Sequence, residues 1–108
     1  MKRKRIYISI PISGHDLEEV KEKARVVSER LLYDVFGLKK EWHRQDVITP
    51  FDVCPETDKP YSYYMGKDIE ALLECDAIFL CEGWQNSKGC MAEFEVARIY
   101  GKEIIFER

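Results

Sequence analysis

Between residues 6 and 10 the chain alternates Ile6, Ile8 and Ile10 with Tyr7 and Ser9, the period of two with which a β-strand serves its two faces. Pro11 and Gly14, in the stretch PISGH, end that strand in a tight loop. From Asp16 to about Leu38 the period changes. Leu17, Val20, Ala24, Val27, Leu31 and Val35 recur at threes and fours, with Gly37 near the end, which predicts a long amphipathic helix. Asp46 to Thr49 reads as a short strand closed by Pro50, and residues 50–60, which hold Pro50, Pro55 and Pro60, as a loop. The pattern then predicts a helix over 61–75, a fully buried strand over 77–81, a loop over 82–87, a helix over 88–100 and a last strand over 103–106.

Strands alternating with helices in this order predict an α/β fold, because parallel neighbours need crossovers and a helix is the usual one. The expected architecture is one domain over 1–108, with a parallel sheet sandwiched by helices. Ligands of such sheets bind beyond the carboxyl ends of the strands, where strand order reverses. Two loops qualify: PISGHD after the first strand and EGWQNSKG after the third.

Two acids break the helical pattern. With about 100° of rotation per residue, Lys88, Glu95, Arg98 and Lys102 share one flank of the last helix. Glu93 points the other way, among Gly89, Cys90, Val96, Ala97 and Tyr100. In the helix before it, Lys67, Glu70 and Glu74 face one side, and Asp68 falls with Tyr61, Met65, Ile69, Leu72 and Cys75 on the other. A buried, unpaired carboxylate is costly. Either acid alone has an ordinary explanation as a partner of backbone N–H groups. Two on the inner faces of helices flanking one strand point to chemistry instead: a nucleophile and a proton carrier, the pair that breaks acetal-like bonds of sugars.

Other candidates are weaker. Only two histidines occur; His43, in KKEWHRQD, reads as a surface residue, and His15, in the first loop, reads first as a solvated loop residue and second as a ligand contact. Ser13 and Gly14 lead into the first helix, whose free N–H groups could hold a phosphate or a sugar hydroxyl, or Ser13 or Asp16 simply caps that helix. Ser87 has the same two readings, and Trp84 is expected to be exposed as a base-stacking wall or an oligomer contact. A zinc site from Cys75, Cys81 and Cys90 with His15 or His43 matches no common ligand spacing, so the four cysteines read as reduced thiols.

Composition narrows the classes. Charged residues make up 34% and hydrophobic ones 45%, and no apolar run is long enough to span a bilayer, so a cytoplasmic globular protein without membrane contact is expected. The start, MKRKRIYISIPIS, has a basic tip, but Pro11, the alternation and the lack of a small-residue cleavage site argue against a signal peptide. A net charge of -3 gives no footprint for a nucleic acid polymer.

The stretches IYISIPISG, YMGKDIEALLECDAIFLCEGWQNSKGCMAEFEVA and GKEI resemble the nucleoside 2-deoxyribosyltransferase superfamily, and most closely a branch of small proteins with a GW-x-x-S-x-G-x-x-x-E signature. The resemblance covers nearly the whole chain. It implies a flavodoxin-like (Rossmann-like) three-layer sandwich with a four- to five-stranded parallel sheet. It implies Glu93 as the nucleophile that forms a glycosyl-enzyme, Asp68 beside the leaving base and Tyr7 as the strand tyrosine that orients Glu93. Ser9, Pro11, Ser13, Gly14 and His15 from the first loop region, with Trp84, Ser87 and Gly89 from the second, form the candidate substrate-binding set. The transferases usually carry an aspartate where this chain has Ser87, and a related deoxynucleotide N-hydrolase branch is similar in having a serine near this place.

The expected partner is therefore a small-molecule nucleoside or nucleotide, the expected activity cleavage of its N-glycosidic bond, and the expected assembly a homodimer or higher homo-oligomer. This chemistry needs no metal and no organic cofactor. Trp42, Trp84, Tyr61, Tyr63 and Tyr64 are aromatics that either serve an oligomer interface or belong to the core. The alternatives are a module that binds a nucleotide without cleaving it and an electron carrier of flavodoxin type.

Overall fold

The computed structural model describes residues 4–34 and 46–108. Its elements run β1 (Ile6–Ser9), α1 (Leu17–Asp34), β2 (Val47–Ile48), α2 (Pro50–Val53), α3 (Tyr61–Leu73), β3 (Ala77–Leu80), a 3-10 turn (Trp84–Asn86), α4 (Lys88–Ile99) and β4 (Glu103–Phe106). The four strands form one parallel sheet in the order β2-β1-β3-β4. The chain is thus α/β, with a four-stranded all-parallel sheet between two helical layers, consistent with a flavodoxin-like three-layer fold. Four is the lower end of the expected range.

Alternation along β1 decides what each layer receives. Ile6, Ile8 and Ile10 turn to the side of α1 and pack with Val20, Ala24, Val27 and Leu31. Tyr7 turns to the opposite side, where Leu72, Cys75, Ile78, Leu80 and Ala97 form a second core with α3 and α4. Each Val, Ile or Leu removed from water in these cores contributes roughly 1.5–3 kcal/mol. Because β1 is paired on both edges and covered on both faces, its residues are wholly buried. Strand order reverses at β1, and this puts the carboxyl ends of β1 and β3 beside the crevice where ligands of open α/β sheets sit.

Several boundaries differ from the sequence reading. Residues 50–60 are not all loop: Pro50–Val53 form the short helix α2. Thr49 Oγ1 accepts from the Asp52 N–H while the Asp52 carboxylate accepts from the Thr49 N–H, a reciprocal cap with Pro50 at the first helical turn. The loop over 82–87 contains the 3-10 turn, entered through Gly83 at φ 89°, a backbone conformation that suits glycine. Tyr100, phased to the inner face of the last helix, lies at its C-cap and is 64% exposed, because the helical rotation stops at Ile99. The expected end of the first helix over 35–38, with Val35 and Gly37, and also Trp42, His43, Lys2 and Arg3, lie outside the described residues.

No helix among the described residues is long and apolar enough to cross a membrane.

Candidate active site

A cavity of about 830 Å³ opens between the loop after β1, the α2–α3 segment and the start of α4. Ile10, Ile12, Phe51, Tyr61, Tyr64 and Met65 supply much of its wall, and Asp68 and Glu93 are the buried acids that line it. Its size is that of an ordinary small-molecule site, and a mostly apolar wall with a few convergent polar groups is the usual composition.

Glu93 sits on the buried face of α4, 4% exposed. Its two oxygens are each held by one hydroxyl from β1. Tyr7 Oη donates to Oε2 at 2.8 Å, and Ser9 Oγ donates to Oε1 at 2.6 Å. Tyr7 and Ser9 stand two residues apart on the same face of the strand, so both reach α4 from one rigid backbone. Burial pushes the Glu93 carboxyl up to about 7, against the hydroxyl bonds of Ser9 and Tyr7 that pull it down; the charge of Asp68 pushes it further up. The Tyr7 phenol lies well above its ordinary range, first through burial and then through the charges of Glu93 and Asp68, so it stays a donor.

Asp68 comes from α3 and is 7% exposed. Its Oδ1 is buried and, among the described residues, has no hydrogen-bond partner. Burial alone raises its carboxyl to about 7. The two acids therefore share a cavity and a pH range but differ in support. Hydroxyl donors favour the charged form of Glu93, and among the described residues no donor does the same at Asp68 Oδ1. That difference in hydrogen bonding favours Asp68 over Glu93 as the holder of a single shared proton.

The start of α4 borders the same space. Ser87 caps the helix, its Oγ accepting from the Cys90 N–H at 3.2 Å, and also lines the cavity. Gly89 lines it too, and a Cβ there would lie 3.3 Å from Tyr61 Oη and 3.5 Å from Met65 Sδ. The absent side chain lets the start of α4 approach α3.

Of the residues singled out from the sequence, Asp68, Glu93, Ser13, Ser87 and Gly89 line the cavity. Tyr7 and Ser9 are fully buried behind it, so Ser9 serves Glu93 and is not itself a wall residue. Pro11, Gly14 and His15 are outside the wall: Gly14, at φ 84°, and the His15 N–H bonded to Ile12 O at 3.1 Å shape the turn that presents Ile12 and Ser13. Trp84 is neither exposed nor a cavity wall. It is half-buried, with ring centroids 4.9 Å from Phe94 and 5.8 Å from Phe106, because the 3-10 turn aims it at β4. Tyr64, Phe51 and Lys21 are wall residues that the sequence reading did not assign to the site.

The four cysteines are buried and unpaired. Cys81 joins the core on the α1 side and Cys75 the core on the other, so the sheet separates two members of the zinc set considered above. Among the described residues no group of three or more His, Cys, Asp or Glu is arranged to hold a metal ion.

A family model described as Domain of unknown function (DUF4406) matches residues 4–106. No curated protein matches the chain.

Proposed function

We propose that this chain, which belongs to the DUF4406 family, cleaves the N-glycosidic bond of a 2'-deoxynucleoside or its 5'-monophosphate through a glutamate nucleophile. The observation that carries the reading is the buried Glu93 carboxylate, held by one hydroxyl on each oxygen, in the same cavity as Asp68, whose Oδ1 has no hydrogen-bond partner among the described residues. Hydroxyl donors on both oxygens orient Glu93 and favour its ionised form against burial, while burial favours the protonated form of Asp68; ionised nucleophile and protonated acid are the two states that displacement at an anomeric carbon requires.

In this mechanism a Glu93 oxygen attacks C1' of the deoxyribose, and the electrons of the C1'–N bond pass to the departing base. Asp68 gives its proton to that base. The product is an ester between Glu93 and C1'. Asp68, now a carboxylate, takes a proton from water or from a second base, which attacks C1' and releases Glu93. Water as acceptor makes the chain a hydrolase; a second base makes it a transferase. The aromatic and apolar wall from Phe51, Tyr61, Tyr64 and Met65 suits a flat heterocycle.

Incubation with each deoxynucleoside and deoxynucleoside monophosphate, followed by chromatography for free base, tests the proposal. Base release that disappears in Glu93→Gln supports it. A ligand that binds and is recovered intact after long incubation would instead make the cavity a nucleotide-binding site without chemistry.

A further inference from the structure

We infer that Ser9 is a positioning residue for Glu93, forming with Tyr7 a two-point hydroxyl clamp that fixes both carboxylate oxygens and keeps Ser9 from contacting substrate. The inference rests on the glycosidic reading of Glu93 given above, and it adds a role that the resemblance to the transferases did not assign.

Three observations carry it. Ser9 is fully buried and absent from the cavity wall, while Glu93, whose carboxylate it touches, lines that cavity. A serine hydroxyl has one proton, and Ser9 gives it to Glu93 Oε1 at 2.6 Å, so none remains for a ligand. Tyr7 meets the other oxygen at 2.8 Å. A carboxylate bonded at one oxygen still rotates about its last carbon-carbon bond; bonded at both, from side chains two apart on an interior strand, it does not. Ser9 therefore sets orientation, and as a donor to a charged oxygen it also favours the ionised form.

The other titratable groups around Glu93 are Asp68 on α3, Tyr7 on β1 and Cys90 on α4. Asp68 opposes ionisation of Glu93, and the hydroxyls of Ser9 and Tyr7 promote it. Loss of Ser9 leaves Tyr7 alone against Asp68 and burial.

The test uses Ser9→Ala, Ser9→Cys and Ser9→Thr in the full chain. Side-chain carboxyl NMR of the ligand-free protein follows Glu93 directly, and steady-state kinetics follow base release. In Ser9→Ala the Glu93 titration midpoint is expected to rise by about one pH unit, and kcat at neutral pH to fall roughly ten- to a hundredfold with KM within about twofold. Ser9→Cys, a weaker donor, is expected to follow alanine and keeps the test alive should alanine not fold. Ser9→Thr, which keeps a hydroxyl, is expected to follow the parent. An unchanged Glu93 midpoint in a folded alanine or cysteine variant overturns the clamp, as does a rise in KM with kcat intact, which would make Ser9 a substrate ligand. If the parent releases no base, the NMR midpoint still decides: a shift retains the clamp while the glycosidic reading falls.

Discussion

Asp68 and Glu93 line one cavity from successive helices, and of the two only Glu93 has hydroxyl donors on its carboxylate among the described residues. In the proposed mechanism that asymmetry assigns two similar carboxyl groups, both raised to about 7, the separate roles of nucleophile and acid. Environment makes the distinction, since the side chains differ by one methylene.

Activity is expected to peak near neutral pH. Below about 7 Glu93 gains a proton and stops attacking; above about 7 Asp68 loses the proton the leaving base needs. Both limbs belong to the coupled pair. A pH profile of kcat/KM checks this, and activity that climbs steadily to high pH would remove Asp68 as the acid.

Stability has the opposite sign from that of a salt-bridged acid. Both carboxyls titrate higher in the fold than in an unfolded chain, so the fold favours their neutral forms. Their contribution is complete below about pH 4 and is lost as pH rises to about 7, on the order of 4 kcal/mol for Asp68 and about 3 kcal/mol for Glu93. Asp68→Asn is therefore expected to raise the melting temperature at pH 8 by several degrees and to leave it nearly unchanged at pH 4. Calorimetry at the two pH values decides.

Gly89→Ala is expected to raise KM roughly tenfold with little change in melting temperature. The new methyl meets Tyr61 Oη and Met65 Sδ at the cavity wall, and these flexible ends move into the space a ligand uses. Substrate titration with a parallel melt separates the effects; a large loss of stability would mean that Gly89 serves packing alone.

Trp84→Ala is expected to cost roughly 2–4 kcal/mol of stability, because its ring covers Phe94 and Phe106. KM of the folded fraction should stay close to that of the parent. A urea titration and kinetics check this, and a stable variant with a large KM would restore the base-stacking role expected from the sequence.

The sequence made most of the fold legible because both periods are strong. Ile6, Ile8 and Ile10 fix which face of β1 meets α1, and the three-and-four spacing of Val20, Ala24, Val27 and Leu31 fixes the face that answers it. The same helical count found Glu93 and Asp68, since a charge at a core phase is visible without coordinates. Ser9 was harder to read. Its phase with Tyr7 was present in the alternation, but a serine near a loop suggested a ligand, and the carboxylate it serves lies 84 residues away. Trp84 was misread for a related reason: its partner Phe106 is on β4, and local sequence says nothing of a contact across the sheet edge. For α2 the signal was there. Thr49, Pro50 and Asp52 spell a cap, which the nearby prolines overshadowed.

The most direct test of the central claim is a search for the covalent intermediate. The protein is mixed with a 2'-fluorinated deoxynucleoside, whose glycosyl-enzyme hydrolyses slowly, then quenched, digested and read by mass spectrometry. One added sugar residue on the peptide that contains Glu93, absent in Glu93→Gln, is the predicted result. Base release with no adduct on Glu93, or an adduct on another residue, would contradict it.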